Sequence, residues 1–136
     1  MARSSVDIRA ANARAAATLT AASSSFIPFA VLLGGTSGIG SATAHALSNA
    51  FQGRIHLVLS ARSASKAADV IRSLPFPPSA ANGGSVESAQ VDATSMASVR
   101  ALGKTISDKA DEKTDGKINY LVLSCGQLVL QVRPEF

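Results

Sequence analysis

The sequence predicts an α/β fold built on a doubly wound parallel sheet, and three observations carry the prediction. Short continuous apolar runs at residues 29–33, 55–60 and 120–123 have the character of strands buried on both faces. Stretches with helical periodicity stand between them, so strand and helix alternate along the chain. The first run passes directly into a glycine-rich loop, Gly34-Gly35-Thr36-Ser37-Gly38-Ile39-Gly40, that opens a helix. At 136 residues the chain has room for one such domain. A hydrophobic fraction of 46% is enough for a core and excludes wholesale disorder.

The elements follow in order. Residues 1–25 are rich in Ala, Ser and Arg and form a separate N-terminal segment, with a helix expected over 7–19. Its stripe would be Ile8, Ala11, Ala15 and Leu19. After the first strand and the glycine loop, a helix is expected over 41–50 and a second strand over 55–60, bounded by Gly53 and the Ala61-Arg62-Ser63 turn. The next helix, 64–74, ends before Pro75, because a residue preceding proline disfavours the α region. Pro75, Pro77, Pro78 and Asn82-Gly83-Gly84 then mark an irregular loop. A weak third strand is read at 88–91. Thr94 or Ser95 caps the helix after it, with a buried stripe of Met96, Val99, Leu102 or Gly103, Ile106 and Ala110. The fourth strand, 120–123, reads as buried and closes with Ser124-Cys125-Gly126. Leu128, Val129, Leu130 and Val132 give 127–136 a strand-like look without a clear element.

Charge and composition narrow the function classes. Thirteen basic residues against nine acidic give +4. Over 108–117 the acids Asp108, Asp111, Glu112 and Asp115 nearly cancel Lys109, Lys113 and Lys117. The excess lies at Arg3, Arg9 and Arg14, then at Arg54, Arg62, Lys66 and Arg72. A local positive site of this kind suits a phosphate-bearing small molecule better than a nucleic-acid backbone. The absence of Trp and the single Tyr argue against a base-stacking platform. The longest apolar run, 26–33, contains Pro28 and is far shorter than the about 20 residues of a membrane-spanning helix. One cysteine, Cys125, makes no internal disulfide and suits a reducing compartment, so a cytoplasmic location is expected. An Arg-bearing, acid-poor N-terminus leaves a mitochondrial presequence as the alternative. His45, His56 and Cys125 fall in three separate elements, and no metal site is expected.

The glycine loop is the most informative segment. Gly34 suits the tight exit from the strand, where positive φ costs glycine little. At Gly38 there is no side chain to keep a diphosphate from the helix N-terminus, and Gly40 lets that helix pack against the sheet. Free N–H groups and the helix dipole then favour an anion. The alternative is a plain strand-to-helix turn. An NTPase phosphate loop is excluded because Ser41 stands where lysine is required.

The end of the second strand distinguishes between nucleotides. An NAD site needs an Asp or Glu there to hold the ribose hydroxyls, and Leu59-Ser60-Ala61-Arg62-Ser63 has neither. The planar fork of Arg62 suits a 2′-phosphate, with the hydroxyls of Ser60 or Ser63 assisting and Lys66 one turn further on. NADP(H) is therefore favoured over NAD(H). The missing acid also weakens a methyltransferase reading. The plain alternative for Arg62 is a solvated residue at a helix start.

On these residues the chain resembles the short-chain dehydrogenase/reductase family. Its first signature, Thr-Gly-x-x-x-Gly-x-Gly, is matched through Gly40 with Leu33 in place of Thr. Val91-Asp92-Ala93-Thr94 is similar to the segment after the third strand, whose Asp contacts adenine. Ser124-Cys125-Gly126 corresponds to the family's Asn-Ala-Gly. The loss of Asn implies weaker strand support, while Gly126 still admits a ribose. The resemblance covers about residues 6–133. It implies a Rossmann-like sheet in the order 3-2-1-4, NADP(H) as cofactor, and a small carbonyl or alcohol substrate. The cofactor residues it implies are Gly34, Thr36, Ser37, Gly38, Ile39, Gly40, Ser60, Arg62, Ser63, Asp92, Ala93, Ser124 and Gly126. The wording of 7–12 and 119–124 resembles a fungal branch tied to secondary-metabolite biosynthesis.

The family's Tyr-x-x-x-Lys motif and upstream Ser have no counterpart. The only tyrosine is Tyr120, and position 124 holds Ser rather than Lys. No catalytic residue is assigned, and 26–136 is expected to be the cofactor half of a longer domain. The alternative is a non-catalytic dinucleotide-binding fragment. Four strands would leave the fourth with an open edge, a route to a homo- or hetero-oligomer. One sheet face would carry two helices and the other only one, helped by the N-terminal segment.

Overall fold

The computed structural model describes residues 5–21 and 25–126. Helix α1 (Ser5–Ala21) is followed by β1 (Phe29–Leu33), α2 (Gly38–Ala50), β2 (His56–Ala61) and α3 (Ala64–Ser73). A 3-10 turn (Ala80–Asn82), β3 (Ser85–Gln90), α4 (Met96–Thr114) and β4 (Tyr120–Leu123) complete the order. The strands form one parallel sheet in the order β3-β2-β1-β4, the order that the family resemblance implies.

Alternation along the strands sorts side chains to two faces. Ala30, Leu32, Leu57 and Leu59 pack with Ala44 of α2 and Val70 of α3, joined by Phe51, Ile55 and Leu74. On the other face Phe29, Val31 and Val58 pack with Leu102, Ile106 and Ala110 of α4. Each such large side chain, fully buried, contributes about 1.5–3 kcal/mol. A pair between Lys109 and Glu87 adds a polar tie from α4 to β3.

Several boundaries and faces differ from the expectation. Helix α2 begins at Gly38 rather than at 41, since the first turn of a helix needs no internal N–H partner. β3 starts three residues early, and its position at the sheet edge explains its weak apolar signal. In α4 the buried stripe is Leu102, Ile106 and Ala110, with Val99 half-buried. Met96 is 65% exposed and Gly103 is exposed, because the helix meets the sheet only from Val99 onward. β4 is not buried on both faces. Tyr120 and Val122 face the α2/α3 core, whereas Leu121 and Leu123 are 59% and 66% exposed. An apolar run reads alike whether or not a helix covers it, and α4 covers β1 rather than β4.

The stripe on α1 is also corrected. Ile8, Ala11 and Ala15 are exposed, so the described part of this helix does not help to cover the one-helix face. Its apolar residues are mostly alanines, with little area to bury. The side chain of Leu19, Arg3 and the apolar stretch of 127–136 lie outside the described residues.

Candidate functional site: a cavity at the carboxyl end of the sheet

The carboxyl ends of the strands open onto a cavity of about 620 Å³, within the usual range of about 300–1,000 Å³ for small-molecule sites. It lies where the strand order reverses: from β1 the chain moves outward through β2 to β3, and then crosses back through α4 to β4 on the other side of β1. Such a reversal of strand order is the usual ligand position in open α/β sheets.

The glycine loop forms its floor. Gly34 has φ +87° and donates its N–H to the carbonyl of Ser60 at 2.9 Å, which ties the exit of β1 to the end of β2. A Cβ at Gly34 would stand 2.9 Å from the backbone nitrogen of Cys125. At Gly40 a Cβ would run into the carbonyl of Gly34 and lie 2.7 Å from Oγ of Ser124, so glycine is required for helix and loop to meet. Gly38, at φ +52°, faces open space, and Ile39 is 76% exposed. Thr36 and Ser37 line the cavity, whereas Gly38, Ile39 and Gly40 do not.

The helix N-termini differ in how they are closed. Ser63 caps α3 by accepting from the N–H of Lys66, and Ser95 caps α4 by accepting from the N–H of Ser98. Ser37 makes no such bond at α2, the helix that the glycine loop opens. That terminus keeps its positive dipole end and N–H donors for an external acceptor.

Beyond the loop, Ser60, Arg62, Ser63, Asp92, Ala93, Ser124 and Gly126 all line the cavity. Ser60 is fully buried, and its Oγ has no hydrogen-bond partner. A buried hydroxyl in that condition costs about 1–3 kcal/mol unless a ligand completes it. Arg62 and Lys66 are exposed at the rim, and neither is in an ion pair with a described residue. The backbone of Arg62 is held by Gln90, whose side-chain N–H donates to its carbonyl at 3.1 Å.

Asp92 is set differently. Its Oδ1 accepts from the hydroxyl of Thr94 at 2.7 Å and from the N–H of Thr94 at 2.9 Å. Its own N–H donates to Oγ of Ser98 at 3.0 Å. The Thr94 bonds, chiefly that from the hydroxyl, hold the carboxyl below its ordinary range, with a smaller contribution from the Arg62 charge. Asp92 is therefore an oriented carboxylate at neutral pH, with capacity left to accept from a ligand N–H or O–H.

Ser124 bonds to the start of the glycine loop. Its hydroxyl lies 3.2 and 3.1 Å from the carbonyls of Leu33 and Gly34, and its N–H donates to Leu33 at 2.9 Å. In place of Asn it therefore still ties β4 to the glycine loop. The rim includes Lys66, Thr94 and Cys125, which were not among the assigned residues. Lys66 was signalled by its place one turn beyond Arg62, and Thr94 by its spacing from Asp92. Cys125 had no signal beyond its neighbours. Among the described residues no group of three His, Cys, Asp or Glu side chains is placed to hold a metal ion. No described helix is long and apolar enough to cross a membrane.

Parallel topology and a glycine loop under a polar cavity define a Rossmann-like α/β domain, the fold that the resemblance to short-chain dehydrogenases/reductases implies. The family model described as KR domain matches residues 29–124, and the chain belongs to that family. No curated protein matches the chain in sequence. Among solved structures, it is similar to an NADPH-bound short-chain oxidoreductase from Pseudomonas aeruginosa with an atypical catalytic center. There the identity is 26% and the TM-score 0.55, over 74% of this chain and 35% of that one. Menthone neomenthol reductase from Mentha piperita is 27% identical with TM-score 0.55, over 74% and 32%. L-sorbose reductase from Gluconobacter frateurii, complexed with NADPH and L-sorbose, is 27% identical with TM-score 0.52, over 74% and 34%. The chain thus spans about a third of the length of these relatives.

Proposed function

We propose that the chain is the cofactor-binding part of an NADP(H)-dependent oxidoreductase acting on a carbonyl or alcohol. The observation that carries this reading is the set of uncommitted polar groups around one cavity: the Ser60 hydroxyl, the uncapped N-terminus of α2, and Arg62 with Lys66. These suit the parts of a phosphorylated dinucleotide. The α2 terminus, with Thr36, Ser37, Gly38 and Ile39 before and in its first turn, would receive the diphosphate. Gly34 and Gly40 hold that loop in shape.

Arg62 and Lys66, with Ser63 and Ser60, would hold the 2′-phosphate. No carboxylate stands at the end of β2 to repel it or to take a bare ribose instead. Asp92, oriented by Thr94, would accept from the adenine amine, with Ala93 beside it, while Ser124 and Gly126 border the space for the second ribose. Bound here, NADPH would supply a hydride to a carbonyl carbon. Reduction of a biosynthetic carbonyl intermediate in a fungal secondary-metabolite setting and a cytoplasmic location are the finer parts of the same reading.

A second reading has its own support. Among the described residues the cavity lining contains no tyrosine. Tyr120 faces the α2/α3 core, its ring 6.0 Å from that of Phe51. A chain whose only phenol is committed to packing fits a dinucleotide-binding piece that is completed by other residues or that does not turn over.

Fluorescence titration with NADPH, followed by addition of aldehydes and ketones, separates the outcomes. Binding with oxidation of NADPH supports the enzyme reading. Binding without oxidation supports the second, and absence of binding removes both.

A further inference from the structure

We propose that Cys125 is a modification site at the nucleotide cavity, where mixed-disulfide formation with a small-molecule disulfide such as glutathione disulfide excludes the dinucleotide. This rests on the nucleotide reading above. Cys125 is the only cysteine of the chain and is exposed. It belongs to the lining of the same cavity as Gly34, Arg62 and Asp92. Its backbone nitrogen stands only 2.9 Å from where a Cβ on Gly34 would be, so the residue adjoins the diphosphate end of the proposed site.

A separate observation points to a ligand in this space. Ser60 lines the cavity, is fully buried, and has a hydroxyl with no partner. A buried group left without a partner calls for an explanation, and a molecule bound in the cavity supplies one. An exposed thiol and a buried hydroxyl without a partner therefore share one cavity, and a tripeptide attached at Cys125 would compete for its volume. The resemblance places Ala at this position, a residue with nothing to modify.

The chemistry is ordinary exchange. The thiolate of Cys125 attacks one sulfur of the incoming disulfide, its S–S bond breaks, and a new S–S bond forms to Cys125. The departing thiolate takes up a proton equivalent to the one that Cys125 released. One disulfide is consumed, and one mixed disulfide and one free thiol result. A reducing thiol reverses the step.

The test uses the full chain in three states: reduced, treated with glutathione disulfide until one glutathionyl group is attached by mass, and treated then reduced again. NADPH affinity is expected to fall about tenfold or more on modification and to return on reduction. In Cys125→Ala, treated and untreated samples should bind NADPH alike. On the reduced wild-type chain, saturating NADPH should slow labelling of Cys125 by a chromogenic aromatic disulfide about fivefold or more.

Modified protein that binds NADPH as tightly as reduced protein overturns the inference and leaves the nucleotide reading standing. So does labelling at a rate indifferent to NADPH. A reduced chain that does not bind NADPH at all overturns both.

Discussion

The two ends of the sheet treat their polar groups in opposite ways. At the amino end they are paired within the chain. Oδ1 of Asn119 accepts from the N–H of Phe29 at 2.9 Å, and Nδ1 of His56 lies 2.9 Å from the hydroxyl of Ser85. The buried Ser48 donates to the carbonyl of Phe76 at 2.6 Å and accepts from its N–H at 3.1 Å. At the carboxyl end the Ser60 hydroxyl has no partner, the terminus of α2 has no cap, and Arg62 and Lys66 form no ion pair with a described residue. One end is built to hold the fold. The other keeps hydrogen-bonding capacity that the fold does not use, and this is where a ligand gains most.

The largest expected effect comes from removing charge at the open end. Arg62→Ala should weaken NADPH binding by about 10- to 100-fold, the worth of one or two charge-assisted bonds, while leaving NADH binding nearly unchanged. Parallel fluorescence titrations with the two nucleotides check this. Equal losses for both would mean that Arg62 acts on the loop rather than on the 2′-phosphate.

Next in size is the junction of loop and helix. Gly40→Ala forces a Cβ against the Gly34 carbonyl and Oγ of Ser124, and should lower stability by about 1–3 kcal/mol, measured by urea unfolding. An unchanged midpoint would show that the loop has room that its geometry denies.

A matched pair sharpens the contrast between the ends. Asn119→Ala leaves the buried N–H of Phe29 without an acceptor and should cost about 1–3 kcal/mol, with NADPH affinity of the folded protein intact. Ser60→Ala removes a hydroxyl that bonds to nothing. It should therefore leave the ligand-free protein as stable or slightly more stable, while weakening NADPH binding several-fold. Loss of stability in Ser60→Ala would contradict the division of labour.

The smallest effect is a pH dependence at the amino end. Burial, followed by the nearby charge of Lys113, lowers the pKa of His56, partly offset by Glu112 and Glu87. The unfolded chain then binds the proton more readily than the folded one. This contribution is complete above the ordinary histidine value of about 6.5 and is lost as pH falls from there through the lower folded value. His56→Gln should flatten that part of the stability profile, followed by thermal unfolding between pH 5 and 7.5.

How much of this was legible in the sequence depends on what each residue signals locally. Phe29–Leu33 and Tyr120–Leu123 were readable to the residue, because continuous apolar runs between loop signals have few alternatives. The exposure of Leu121 and Leu123 was not, because coverage of a face depends on where α4 packs and not on the strand itself. Ten of the thirteen assigned cofactor residues line one cavity, because parallel crossovers bring the carboxyl ends of the strands together. The role of Ser124 depends on tertiary contact: only the approach of β4 to the loop shows its hydroxyl reaching two carbonyls.

The most direct test of the central claim is a calorimetric titration of the purified chain with NADPH and, separately, with NADH. Saturable binding of one NADPH per chain, with NADH at least about tenfold weaker, is the expected result. No heat with either nucleotide, or equal affinities for both, would contradict the assignment of the cavity to a 2′-phosphorylated dinucleotide.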